Sequence, residues 1–169
     1  NKGLYDGLDL HGSNSNAALA RLVQAPVVLV LDARGMTRGI APLILGYQAF
    51  DPQIRIAGVI LNQLGGSRHE AKLRAVIEHY TDVRVLGGVH RHPELEIVER
   101  HLGLIPSNEE TASTSRIRQI RKVIGAAVDL DALLASANDA ALAYEPLFPD
   151  TVATDEPVRI GIARDMAFG

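Results

Sequence analysis

Val27-Val28-Leu29-Val30-Leu31, closed by Asp32, is an unbroken aliphatic run rich in β-branched residues. No polar residue alternates with the apolar ones, which is the mark of a parallel strand buried on both faces. Residues 56–61, closed by Asn62, repeat the pattern, and residues 83–89 give a third, weaker case with two glycines near its end. Helical spacing fills the intervals, over residues 17–23 before the first run, 40–50 between the first and second, and 70–80 between the second and third. Strands that alternate with helices of about ten residues specify βαβ units, hence an α/β fold around a parallel sheet.

Past residue 89 the pattern changes. Residues 90–106 predict a loop with one short helical turn, and residues 113–137 one or two helices, with Asp129 able to cap the second. Residues 143–157 hold Pro146, Pro149 and Pro157 among acidic residues, which is linker chemistry. Residues 158–163 then read as a buried strand opening a second domain. No initiator Met precedes Asn1, and Gly169 closely follows the strand-like segment, so the sequence reads as a piece of a longer protein.

At 169 residues and 47% apolar content the chain is able to bury a real core. A formal net charge of -3 argues against non-specific nucleic-acid binding, which needs a net basic surface. The absence of cysteine excludes a disulfide framework, a thiolate metal site and a cysteine nucleophile within these residues, and agrees with a cytoplasmic location. The longest apolar run, residues 25–31, is interrupted by Pro26 and is too short to span a bilayer, so no membrane association is expected.

In open parallel sheets ligands bind beyond the carboxyl ends of the strands. The first candidates are therefore Asp32 with residues 33–38, Asn62 with residues 63–68, and the loop from His90. A polar residue closing a strand serves either a ligand or nearby backbone groups, and position alone leaves both readings open. A nucleotide-binding sheet also calls for a glycine-rich cradle ending in Lys and then Ser or Thr. Lys2, Lys72 and Lys122 are the only lysines, and none is followed by a hydroxyl residue. Either the protein binds no nucleotide, or the cradle lies upstream of Asn1.

Asn1-Lys2-Gly3-Leu4-Tyr5-Asp6-Gly7 resembles the E-G-x-x-G-L-[FY]-D-G stretch of cobyrinic and hydrogenobyrinic acid a,c-diamide synthases, entered just after its Glu-Gly. The match continues in order through Ser15-Asn16-Ala17, Ala25-Pro26 with the first strand, Gly58-Val59-Ile60-Leu61-Asn62, Arg68-His69, and Glu99-Arg100-His101-Leu102-Gly103-Leu104. It ends with Pro106, Glu109 and residues 159–168, which are similar to the first strand of that family's glutaminase domain. Two departures stand out: Ser107 where Ala is expected, and Gly39 where Ser is common.

The resemblance implies a P-loop NTPase-like core of the dethiobiotin synthetase type joined to a triad glutaminase. It divides the chain into a synthetase domain over residues 1–142, a linker over 143–157 and the start of a glutamine amidotransferase domain over 158–169. It further implies that ATP with Mg²⁺ activates side-chain carboxylates of a corrinoid ring, and that glutamine-derived ammonia displaces the phosphate. The phosphate loop and the glutaminase triad would both lie outside the chain, which alone should be inactive. A homodimer is left open.

Site roles follow from the same resemblance. Asp6 is expected near the transferred phosphate, as catalytic group and metal ligand, although Tyr5-Asp6-Gly7 also has the composition of a plain turn. Asn62, Pro106 and Glu109 are expected at the nucleotide; the amide of Asn62 both donates and accepts, as reading adenine requires. Tyr5, Arg68, His69, Arg100 and His101 are expected at the substrate, where a guanidinium matches a carboxylate in two-point geometry. Against this, Arg100 could complement a helix dipole and Arg68 could be merely solvated. His90 and His92 around Arg91, near Glu94 and Glu96, read as a polar loop rather than a metal site. Arg116, Arg118, Arg121 and Lys122 scatter around a helix as an ordinary solvated surface.

Two rivals share the fold. A diamide synthase acting on another tetrapyrrole, such as nickel-sirohydrochlorin, has the same sequence requirements. A partitioning ATPase would bind proteins, membranes or DNA, and would show a basic or amphipathic surface element and no glutaminase strand.

Overall fold

The computed structural model describes residues 3–96, 111–137 and 161. Within them, three parallel strands run in the order β1-β2-β3: β1 Val27–Asp32, β2 Ile56–Leu64 and β3 Val85–His90. Helix α1, Asn16–Leu22, precedes β1, α2, Ile40–Phe50, links β1 to β2, and α3, Ser67–Tyr80, links β2 to β3. A 3₁₀ turn at Pro93–Leu95 follows β3, then α4, Thr111–Ala127, and α5, Leu130–Ala137. The α/β parallel architecture is the one the apolar runs specify. The expected linker and glutaminase strand fall outside the described residues, apart from exposed Gly161. Among the described residues no helix is long and apolar enough to cross a membrane.

Local chemistry explains the boundaries. Ser15 caps α1 by accepting a hydrogen bond from the Ala18 N–H at 3.1 Å, and Gln24 ends the exit turn with a φ of 52°. Pro42 sits in the first turn of α2, where its missing N–H costs no helical bond. α3 begins three residues earlier than its apolar spacing suggests, because Gly66, with a φ of 151°, turns the chain directly into the helix. The 113–137 region resolves into two helices, and Asp129 caps the second by accepting from Ala132 N–H at 2.9 Å, as its position predicts.

The core lies between the sheet and α2 with α3. Leu29, Leu31, Val59 and Leu61 point from the strands toward Ile40, Ile44, Leu73 and Ile77. Each such side chain, fully removed from water, contributes about 1.5–3 kcal/mol. The first strand departs from expectation: Val30 is 62% exposed, so within the described residues β1 is covered on one face only. The third strand starts and ends later than its apolar run, and its glycines fall mid-strand. A Cβ on Gly87 would lie 2.7 Å from the Ala127 carbonyl oxygen, and one on Gly88 2.9 Å from Leu64 Cδ1 and against the Glu70 carboxylate. Successive strand residues face opposite ways. The glycine pair thus lets β3 be packed on one side by the α4–α5 junction and on the other by α3, with a bridge between Gly87 and Val128.

Candidate functional site

Asp32 and Asn62 are register partners at the carboxyl edge of β1 and β2, and the Asn62 carbonyl accepts from the Ala33 N–H at 2.8 Å. The two polar residues that close the apolar runs therefore stand side by side. Arg34 donates from Nε to both oxygens of Asp32, at 3.0 and 2.9 Å. These hydrogen bonds hold the Asp32 carboxyl below the usual carboxylate range, and Arg91 adds to the effect through its charge. The Asn62 side-chain oxygen accepts from the Gln63 N–H at 2.9 Å. Gln63 has a φ of 61°, a left-handed conformation uncommon for a side chain of its size, and the β2–β3 register breaks between Leu61 and Leu64.

Beyond this edge lies a cleft of about 470 Å³ between Thr37, in the loop after β1, and the Gly65-Gly66 turn after β2. Ser67, Arg68, His69 and Lys72 of α3 complete its walls. His69 holds the two loops together: Nδ1 accepts from the Gly65 N–H at 3.3 Å, and Nε2 lies 2.7 Å from the Met36 carbonyl oxygen, which requires the proton on Nε2. Next to the cleft, Glu70 accepts from Arg74 Nε at 2.8 Å and pairs with His90 Nε2 at 2.7 Å. Burial pushes the Glu70 carboxyl up, but the hydrogen bonds from His90 and Arg74 outweigh it and leave the group below its ordinary range.

Of the residues singled out in the sequence, Asn62, Arg68 and His69 come together at this edge. Tyr5 and Asp6 do not join them. The Tyr5 hydroxyl donates to the Tyr47 carbonyl at 2.7 Å and its ring packs on Tyr47 and Phe50, in the last turns of α2. That is about 15 Å along the helix from the loop that carries Thr37. Exposed Asp6 closes a turn, accepting from the Gly3 N–H at 2.8 Å. Among the described residues no group of three or more His, Asp or Glu side chains is placed to hold a metal ion. Pro106, Glu109, Arg100 and His101 lie outside the described residues. Thr37 and Arg91 belong to the loops that the strand ends single out, though neither was given a role of its own, and Lys72 was passed over in the sequence. Lys72 was accessible to it, since it lies four residues after Arg68 and so on the same helical face.

A parallel sheet whose strand ends open into a cleft flanked by cationic side chains is the frame of nucleotide-handling α/β domains. The chain belongs to the AAA domain family, whose pattern matches residues 7–99, more than half of its length. More particularly, it is similar to cobyrinate a,c-diamide synthases. It is 42% identical to that of Methanosarcina acetivorans over 99% of this chain and 36% of the relative. With that of Magnetococcus marinus it shares 40% identity over 99% of this chain and 37% of the relative. The figures for Dehalococcoides mccartyi are 45%, 98% and 37%. The resemblance carried by Gly3-Leu4-Tyr5-Asp6-Gly7 and the later motifs is thus borne out, and the chain spans little more than a third of these relatives' length. No solved structure matches it.

Proposed function

We propose that this chain is the central part of an ATP-dependent, glutamine-using synthetase that amidates the a and c side-chain carboxylates of cobyrinic or hydrogenobyrinic acid. The observation that carries the reading is identity of 40–45% to cobyrinate a,c-diamide synthases along 98–99% of the chain. The cleft beyond β1 and β2 supports it, because an oxyanion-rich substrate finds cationic and hydroxyl side chains there.

Chemically, a carboxylate oxygen is a poor leaving group, and phosphoryl transfer from ATP makes it a good one. Ammonia then attacks the carbonyl carbon, the C–O bond to phosphate breaks, and the ammonium-derived proton passes to solvent or a neighbouring base. Asn62 reads the adenine edge, with Pro106 and Glu109 beside the nucleotide. Arg68, Arg100 and His101 take carboxylates of the ring, and Tyr5, whose hydroxyl is engaged by the Tyr47 carbonyl, meets the ring away from the cleft that Arg68 lines. His69, whose two ring nitrogens are engaged by backbone, positions the loops that form the cleft. Asp6 would give one carboxylate to a Mg²⁺ ion, a number this ion commonly takes from protein, and the ion would supply positive charge beside the transferred phosphoryl group. The core is of the dethiobiotin synthetase type, and ammonia comes from a glutaminase domain that begins near residue 158.

The test supplies the protein that carries this chain with cobyrinic acid, ATP and glutamine and follows the corrinoid by mass spectrometry. Two successive acid-to-amide conversions are expected, each lost when ATP or the nitrogen donor is omitted. Asp6→Ala should stop amidation and leave glutamine hydrolysis intact. An unchanged corrinoid in the complete mixture refutes the reading.

A further inference from the structure

The cleft carries more positive charge than its surroundings compensate. Arg68 and Lys72 line it, and the Arg91 guanidinium reaches its glycine turn, lying 3.8 Å from the position a Cβ on Gly65 would take. The nearby carboxylates already have cationic partners: Asp32 is paired with Arg34, and Glu70 with Arg74. Among the described residues none of Arg68, Lys72 and Arg91 forms an ion pair, although the chain as a whole is acidic at -3. Three cations that form no ion pair among the described residues, with only Arg91 near enough to Asp32 to act on it by charge, concentrate positive potential around one concave site and favour an oxyanion over a neutral ligand. The Thr37 and Ser67 hydroxyls on the same walls add neutral donors.

We propose that this cleft is an oxyanion site in which Arg68, Lys72 and Arg91 jointly bind a side-chain carboxylate of the substrate. The inference rests on the amidation reading and adds two residues, Lys72 and Arg91, to the substrate site. The fork of Arg91 is suited to the two carboxylate oxygens, while Lys72 acts as a point charge. His69 keeps the Gly65 turn and the Met36 loop at fixed separation, so the site is formed before the ligand arrives.

Arg91→Gln, Lys72→Gln and Arg91→Lys, made in the protein that carries this chain, test the assignment through the Michaelis constants for cobyrinic acid and ATP, alongside the melting temperature. Each glutamine variant should raise the corrinoid constant about ten-fold or more, with the ATP constant and melting temperature unchanged. Arg91→Lys should recover part of the loss. A rise in the ATP constant alone would make the occupant a nucleotide phosphate and overturn the carboxylate assignment. Unchanged constants for both would overturn the site itself. Calorimetry with citrate as probe separates this from failure of the amidation reading. Citrate binding that weakens at least ten-fold in the glutamine variants supports the oxyanion site even where no amide forms, and citrate affinity equal to wild type refutes it.

Discussion

Glu70, in the first turn of α3, and His90, the last residue of β3, are joined by a 2.7 Å hydrogen bond between Oε2 and Nε2. Arg74 holds the other carboxylate oxygen and also donates to the Val85 carbonyl at 3.3 Å, so helix and strand are tied at two levels. The carboxyl of Glu70 sits below its ordinary range in the fold, so the unfolded chain binds its proton more readily. Its contribution to stability is therefore complete above the ordinary glutamate range, near pH 4.3, and is lost as the pH falls through the folded value. Glu70→Gln should flatten the acid side of the stability profile while changing its slope little above about pH 6. Urea unfolding at a series of pH values measures this, and parallel acid limbs for the two proteins would contradict it.

A glycine in β3 and one in α4 predict opposite outcomes for the same substitution. Gly88→Ala drives a methyl into the Glu70 carboxylate and Leu64, and should cost about 1–3 kcal/mol. Gly125→Ala, on an exposed face of α4 with nothing near its Cβ, should stabilise by about 0.5–1 kcal/mol through helix propensity. Chemical denaturation of both variants checks the pair.

Asp129 separates a cap from an ion pair. Its Oδ1 caps α5, while Oδ2 meets Arg84 at 3.1 Å in an exposed setting. Asp129→Ala should cost about 1 kcal/mol, the usual worth of a cap. Asp129→Asn, which keeps the acceptor and drops the charge, should retain most of it, because exposed pairs contribute little. Equal losses in the two variants, measured by thermal unfolding, would transfer the effect to the ion pair.

Asn62→Ala should weaken ATP binding by about 0.5–1.5 kcal/mol for each hydrogen bond lost, with corrinoid affinity unchanged. Calorimetry with each ligand distinguishes this from a structural role. Loss of the bond to the Gln63 N–H would lower the melting temperature and leave ATP affinity as it was.

The strands and the two crossover helices were legible because aliphatic runs and 3.6-residue spacing are local signals, and the Asp129 cap was equally local. The exposure of Val30 was not, since an apolar run specifies burial without naming what covers each face. The glycine pair of β3 read as a weakness when it is a packing device; only the approach of Glu70 and Ala127 gives it meaning. At the site, Asn62 and Arg68 were legible from their place after the second strand, and motif resemblance added His69. The approach of Arg91 to the Gly65 turn depends on the parallel pairing of β2 with β3, which no spacing in the sequence reveals. His69 looked like a ligand for substrate, and its two backbone partners come from loops distant in sequence.

The central claim is that a corrinoid carboxylate is activated by phosphorylation and then amidated. Cobyrinic acid labelled with ¹⁸O in its carboxylates, incubated with ATP, glutamine and the protein that carries this chain, tests it directly. The account predicts a diamide product and one ¹⁸O atom transferred to inorganic phosphate for each amide formed. Amide formation with unlabelled phosphate, or ATP and glutamine consumption with no corrinoid amide, would contradict it.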